Sequence, residues 1–154
     1  LEDQLEWLSE KLEGAQDADP DAPIFVFLHQ PLQNTVTGSE DSAILQNDQL
    51  AEILSRYPQA ILFTGHTHAA LDAGKVLWDG GKARFSAVHS GSVSSLWDFS
   101  EESAAGGPDT GAKGIMEGSQ GLKIEVYDGY IRIRSRDFSS GKWMGDAERI
   151  LWYR

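Results

Sequence analysis

The sequence contains no cysteine. This absence excludes disulfide bonds, thiolate metal ligands and cysteine nucleophiles together, although it does not fix the compartment in which the protein works. No run of 18 or more apolar residues is present, so no segment resembles a membrane-spanning helix. Positive charge is scarce, because 13 lysine and arginine residues stand against 24 acidic ones and give a net charge of -11. That balance argues against sequence-independent binding to nucleic acid or to anionic membranes, since both need basic surfaces.

The chain has the length and composition of one globular domain. Its 154 residues are enough to bury a substantial core, and 40% of them are hydrophobic. At the start, Leu1, Leu5, Leu8 and Leu12 recur at helical spacing, but no Ser, Thr, Asp or Asn precedes them as an N-cap. We therefore expect a helix over residues 1–13 that belongs to a longer protein and begins before this sequence does.

The pattern that follows predicts a strand–helix–strand unit over residues 24–68. Gly14–Pro23 has the composition of an acidic linker. Continuous apolar runs predict strands at Ile24–Leu28 and Ala60–Thr64. Between them, helical spacing predicts a helix at Ser42–Tyr57, which Pro58 would end. Its inward residues are expected to be Ile44, Leu45, Leu50, Ile53 and Leu54.

From residue 69 to 154 the hydrophobic period changes to two, which predicts mainly antiparallel strands. The expected strands are Leu71–Trp78, Ala83–His89, Gly121–Tyr127, Tyr130–Arg136 and Arg149–Tyr153. Asp79-Gly80-Gly81-Lys82 and Asp128-Gly129 are hairpin turn signals. The glycine-rich segment 100–120 predicts a surface loop, either a lid on the substrate side or a disordered excursion.

Histidine follows both strands of the first unit. His29 comes directly after Ile24–Leu28, and Gly65-His66-Thr67-His68 comes directly after Ala60–Thr64. Parallel strands joined by a helix place their carboxyl ends at one edge of a sheet. Because imidazole is a common ligand of zinc, iron and manganese, His29, His66 and His68 are candidate metal ligands. The alternative is that all three are polar residues satisfied by local hydrogen bonds.

The other candidate residues favour structural roles. His89 ends an apolar strand and could line the same edge, but a buried, hydrogen-bonded histidine is the preferred interpretation. Asp72 and Asp79 follow the histidine turn and are expected to be solvated turn carboxylates.

The histidine motifs resemble the C-terminal half of a calcineurin-like metallophosphoesterase domain. That family is similar in having an apolar strand that ends in a lone histidine before proline, here Phe27-Leu28-His29-Gln30-Pro31. A later strand of the family ends in Gly-His-x-His, here Gly65-His66-Thr67-His68, which is the most specific piece. The resemblance covers most of the chain and includes the helix with Leu5 to Leu8, Gly91-Ser92 after a strand, and the strand pair Gly121 to Arg136.

The resemblance implies a fold, an activity and a set of ligands. The fold would be α/β (α+β), a β-sandwich flanked by helices, of which this chain is the C-terminal half only. The activity would be hydrolysis of a phosphomonoester or phosphodiester with two divalent metal ions, either Mn, Fe or Zn. By resemblance, His29 and His66 would ligate one metal ion and His68 the other.

The family's remaining motifs lie upstream of its lone histidine, and none of them occurs upstream of His29 in this sequence. They are an Asp-x-His, a Gly-Asp and a Gly-Asn-His, which supply the bridging aspartate, an asparagine ligand and the histidine that protonates the leaving group. We therefore expect the isolated chain to contain no catalytic residue of its own and to be inactive alone. The expected partners are the missing N-terminal half of the domain and a small phosphoester substrate.

Two other functions also fit the residues. His29, His66 and His68 could form a mononuclear zinc site with an open position, complete within this chain. Alternatively, the protein could be a non-catalytic β-rich binding module in which Trp78, Trp97 and Trp143 mark a partner surface. Tryptophans in such a pattern more often pack in the core or against a sheet, and this is what we expect of these three.

Overall fold

The computed structural model describes residues 2–81, 84–99 and 115–153. In these ranges the chain forms two helices, α1 (Glu2–Ala18) and α2 (Asn47–Leu54). Its strands are β1 (Ile24–Leu28), β2 (Ala60–Thr64), β3 (Leu77–Trp78), β4 (Ser86–His89), β5 (Ser95–Trp97), β6 (Ile115–Glu117), β7 (Gln120–Tyr127), β8 (Tyr130–Asp137) and β9 (Lys142–Trp152). Neither helix of the described ranges is both long and apolar enough to cross a membrane.

The strands form three sheets. The first has the order β1-β2-β4-β3, in which β1, β2 and β4 are parallel and β3 is antiparallel to β4. The second is the antiparallel meander β7-β8-β9, and the third is the antiparallel pair β5-β6. The described part of the chain is therefore mixed α/β with more sheet than helix, which confirms the predicted α/β (α+β) class.

The side chains of β2 alternate between two hydrophobic cores. Ala60 and Leu62 pack on the side of the two helices, whereas Ile61 and Phe63 pack on the side of the meander. All five residues of β2 are buried, because both faces of the strand are covered. The helix-side core includes Leu12, Leu50 and Leu54, and the meander-side core includes Val88, Ile131, Ile133 and Leu151. The four-stranded sheet thus lies between a helical layer and a second sheet.

The strongest sequence signals give elements at the expected residues. β1 and β2 have the predicted bounds, because each is a short continuous apolar run. Asp128-Gly129 forms the predicted two-residue turn, with Tyr127 opposite Tyr130. In β8 the isoleucines are buried and the arginines point outwards, as the alternating pattern predicts.

The predicted end of the first helix at residue 13 is wrong. α1 continues to Ala18, so the expected linker begins only after that residue. Gly14 lies inside the helix and does not interrupt it. Glycine at this position costs only its low helix propensity, which packing of the helix overcomes.

The second helix is shorter than predicted. α2 spans Asn47–Leu54 instead of Ser42–Tyr57, and Leu50 and Leu54 are buried as expected. Leu45 is 93% exposed, so its predicted inward position is wrong. The backbone N–H of Ile44 donates to the Pro31 carbonyl at 3.0 Å, a tertiary bond that holds this segment outside the helix.

The prediction of mainly antiparallel strands after residue 69 is wrong for β4, which pairs in parallel with β2. The predicted strand Leu71–Trp78 is reduced to β3, because Gly74 turns the chain with a φ of 105°. β9 begins at Lys142, well before the predicted Arg149. In the glycine-rich segment, residues 100–114 lie outside the described ranges, and Ile115–Glu117 is strand rather than loop.

Candidate metal centre

The carboxyl ends of the parallel strands bring histidines to one edge of the sheet. Leu28 of β1 is in register with Thr64 of β2, and Thr64 is in register with His89 of β4. His29 therefore follows β1 at the same level at which Gly65 and His66 follow β2. The N–H of Gly65 donates to the His29 carbonyl at 3.0 Å and fixes this alignment.

His29 and His66 are in direct contact. His29 Nε2 lies 3.1 Å from His66 Nδ1, and the ring centroids are 4.9 Å apart in an edge-to-face arrangement. Two lone pairs at this distance would repel, so the nitrogens must share either a proton or a metal ion. Both residues are exposed at the edge of the sheet, where an ion can reach them.

The backbone at His66 is in a rare conformation. Thr67 N–H donates to the Gly65 carbonyl at 2.8 Å, which closes a γ-turn around His66. His66 has a φ of 68° and His68 a φ of 54°, both in the left-handed region. A γ-turn with positive φ at its centre is strained, and such strain persists where the surrounding structure over-determines it, often at functional sites.

The distance between His29 Nε2 and His66 Nδ1 is also compatible with a divalent cation bound by both nitrogens. Two nitrogens each about 2.0–2.1 Å from a zinc ion at a tetrahedral angle would lie roughly 3.3 Å apart. The observed separation of 3.1 Å is close to that value. The separation thus suits an N–H···N hydrogen bond and is also compatible with a cation shared by His29 and His66.

The pKa of His66 is lowered from its usual value. Desolvation is the largest cause, and repulsion from His29 and then His68 adds to it. The His29 ring covers one side of His66 although the residue is exposed overall. A lowered pKa keeps the ring neutral at lower pH, and only the neutral ring has the lone pair that a metal ion needs.

His68 is turned towards β5 instead of towards this pair. Its Nδ1 lies 3.1 Å from both the carbonyl oxygen and the hydroxyl of Ser95, and 3.4 Å from the Ser92 hydroxyl. Among residues 2–81, 84–99 and 115–153, no three histidine or carboxylate side chains converge closely enough to hold a metal ion. The structure thus brings His29 and His66 together and leaves His68 apart from them.

His89 is buried and hydrogen-bonded, as the sequence predicts. It is fully buried and its Nε2–H donates to the Ala69 carbonyl at 2.9 Å. Its Nδ1 has no hydrogen-bond partner within the described ranges. Burial is the main reason that the pKa of His89 is lowered. Since Ala69 directly follows His68, this bond anchors the histidine turn from the side of the core.

The remaining candidate residues are two aspartates after the histidine turn and three tryptophans. Asp72 and Asp79 are exposed, and Asp79 accepts a bond from Gly81 N–H at 3.3 Å. Trp78 packs edge-to-face against Phe85 at 5.2 Å. The other two tryptophans expected to pack differ from each other in exposure. Trp97 is half-buried, whereas Trp143 is 46% exposed and so does not pack in the core.

No model of a known protein family matches the chain, and a search of curated proteins finds no significant relative. The resemblance to calcineurin-like metallophosphoesterases therefore stays a prediction based on the histidine motifs.

Sequence reasoning missed Ser95 entirely, because a serine in a short strand has no pattern that indicates its partner. Gly91-Ser92 is part of the resemblance, but the sequence does not indicate that the Ser92 hydroxyl lies 3.4 Å from His68 Nδ1.

Proposed function

We propose that this chain is the C-terminal part of a metallophosphoesterase-like β-sandwich flanked by helices, and that the complete protein is a metal-dependent phosphoric ester hydrolase. The observation that supports the proposal best is the 3.1 Å contact between His29 Nε2 and His66 Nδ1. The two rings come from the ends of adjacent parallel strands, so the sheet itself holds them in position.

In this proposal His29 and His66 hold one divalent cation, and His68 holds a second. A bound cation would polarise a phosphoryl oxygen and stabilise charge that develops in the transition state. The histidines of this chain would bind and orient the cations, and the edge of the sheet fixes the spacing between His29 and His66. Two cations about 3.5–4 Å apart also need an anionic group between them. Among the described residues no carboxylate joins these histidines in a group that could hold a metal ion. Because the motif that would supply the bridging aspartate is missing upstream of His29, we expect the isolated chain to be inactive.

Hydrolysis by the complete natural gene product tests the proposal. Manganese-loaded protein should cleave a nitrophenyl phosphate monoester or diester, and His66→Ala should abolish most of that turnover. Asp79→Asn, in an exposed turn, is the matched control and should retain full turnover. Undiminished hydrolysis in the His66→Ala protein would overturn the assignment.

Metal binding by the 154-residue chain gives a second, independent test. When the free cation concentration is 100 times the dissociation constant, a cation bound by His29 and His66 should raise the free energy of unfolding by about 2.7 kcal/mol. His29→Ala should remove that stabilisation. One tightly bound zinc together with hydrolysis by this chain alone would favour the mononuclear site instead. Indifference of stability to metal and to all three histidine substitutions would favour a non-catalytic binding module.

A further inference from the structure

Positive charge is concentrated on the outer face of the meander, which is the face turned away from the parallel sheet. Residues 120–152 contain six of the 13 lysine and arginine residues of the chain but only five of its 24 acidic residues. The remaining sequence is therefore strongly acidic, whereas the meander is not. Four cations alternate with inward hydrophobic residues and point outwards, namely Lys123, Arg132, Arg134 and Arg136.

The carboxylates of this face offset only part of that charge. Glu125 is shared by three of the cations, because its oxygens lie 3.0 Å from Lys123 Nζ, 2.9 Å from Arg132 Nη2 and 3.3 Å from Arg134 Nε. Glu148 lies opposite Arg134 in the neighbouring strand and is exposed. Two carboxylates against four cations leave the face positive among the side chains that the structure describes.

Trp143 holds two of the arginines in place. The Cζ atoms of Arg134 and Arg136 lie 4.3 and 4.8 Å from the centre of its ring. Cation–π contacts of this kind restrain both side chains, so less conformational freedom is lost when the guanidinium groups bind a ligand. A guanidinium group can donate two parallel hydrogen bonds to one carboxylate. Arg134 and Arg136 are thus prearranged for a ligand that carries carboxylates.

Aromatic and aliphatic side chains continue the same face towards the turn at Asp128-Gly129. Tyr127, Tyr130 and Trp152 form one row across the three strands, with successive ring centroids 4.8 and 5.0 Å apart. Trp152 is 66% exposed, and Ile150 in the next row is also exposed. Arginine, tyrosine and tryptophan are enriched where protein interfaces gain most of their binding energy. This combination is typical of a surface that binds another protein.

We propose that the outer face of the meander binds an acidic segment of another protein, whose carboxylates are held by Arg134 and Arg136. The row of Tyr127, Tyr130 and Trp152 would cover hydrophobic side chains of the same segment. The surface contains no residue of the candidate metal centre, so its role goes beyond the proposed hydrolase activity and does not depend on it.

A protein segment fits this face better than a single-stranded nucleic acid does. Bases stack on free faces of aromatic rings. Here Tyr127 stacks on Tyr130, and Trp143 is covered by two arginines, so less ring surface is open to a base. A nucleic acid longer than the patch would also meet the acidic remainder of the chain, which repels it. A short acidic segment stays within the patch, where salt screens repulsion from charges more than about 10 Å away.

Fluorescence anisotropy of a labelled peptide tests the proposal on the 154-residue chain. The probe is a short peptide in which glutamate alternates with tyrosine, and its neutral counterpart has glutamine in place of glutamate. We expect the wild-type chain to bind the glutamate peptide, more weakly as ionic strength rises, and not to bind the glutamine peptide. Arg134→Gln combined with Arg136→Gln should weaken binding about ten-fold, because two exposed ion pairs are lost.

Two control variants separate this surface from a general effect of charge. Arg56→Gln combined with Lys75→Gln removes the same charge from exposed positions outside the meander and should leave peptide binding unchanged. Arg134→Lys combined with Arg136→Lys retains the charge but loses the planar groups on Trp143, and should weaken binding less than the glutamine pair does. Urea midpoints confirm that each variant is folded.

Several results would overturn the proposal. They include no binding of the glutamate peptide by the wild-type chain, and equal weakening in the variant pair outside the meander. Tighter binding of a thymidine oligonucleotide than of the peptide, lost in the Arg134→Gln and Arg136→Gln pair, would assign the face to nucleic acid instead. Self-association of the chain that the same pair abolishes would assign it to a second copy. None of these results would alter the proposed hydrolase activity.

Discussion

Replacement of Ile133 by alanine tests whether the meander packs on the parallel sheet as the structure has it. Ile133 is fully buried in the core between the two sheets, together with Ile61 and Val88. The substitution removes three carbon atoms, worth about 0.8 kcal/mol each in lost burial, and the cavity left behind adds to this loss. We expect the free energy of unfolding to fall by about 3–4 kcal/mol.

Ile150 provides the matched control in the neighbouring strand. It is 42% exposed and lies opposite Arg132, on the outer face of the same meander. Ile150→Ala should cost at most about 1.4 kcal/mol, because part of the side chain is already in water and no cavity forms. Urea denaturation monitored by tryptophan fluorescence measures both losses, and thermal unfolding should show a fall of roughly 10 °C for Ile133→Ala. Equal losses in the two variants would refute the face-to-face packing of the sheets.

Two further predictions concern charge and backbone conformation. Hydrogen bonds from Arg132 and then Lys123 are the main causes that lower the pKa of Glu125 to about 2. The ionised Glu125 carboxylate therefore stabilises the fold above its unfolded pKa of about 4.5, and this stabilisation is lost as the pH falls towards 2. Urea midpoints between these pH values should fall less steeply in Glu125→Gln than in the wild-type chain. Gly80→Ala should destabilise by more than about 1 kcal/mol, because Gly80 has a φ of 84° and a Cβ there would collide with the Phe85 carbonyl. Gly14→Ala, at an open position of α1, should instead stabilise by about 0.5–1 kcal/mol, and thermal unfolding of both variants checks the opposite signs.

The accuracy of the sequence predictions follows the range of the interactions that decide each feature. β1 and β2 are continuous apolar runs, so their composition alone indicates buried strands. The parallel placement of β4 depends on a neighbour far away in sequence, and its short apolar pattern cannot indicate which strand it will join. α2 is shorter than its pattern because a tertiary hydrogen bond from Ile44 to Pro31 competes with the helix.

The same distinction applies to the candidate metal centre. The contact between His29 and His66 could be predicted because both residues directly follow apolar strands, and parallel strands end at one edge. The orientation of His68 could not, since it depends on Ser95, which is 27 residues away and lies in a three-residue strand. The anchoring bond from His89 to Ala69 likewise requires the finished sheet.

The position of β1 at the edge of its sheet has a consequence for how the protein opens. Among the described strands, β1 has a hydrogen-bonded neighbour on one side only, namely β2, and its Phe27 is 75% exposed. Edge elements with few buried contacts open by sub-global fluctuations at lower free energy than central ones. A cation held jointly by His29 and His66 would fasten this strand to the centre of the sheet. The amide hydrogens shared between β1 and β2 would then exchange more slowly with solvent, so exchange rates along β1 would report occupancy of the site.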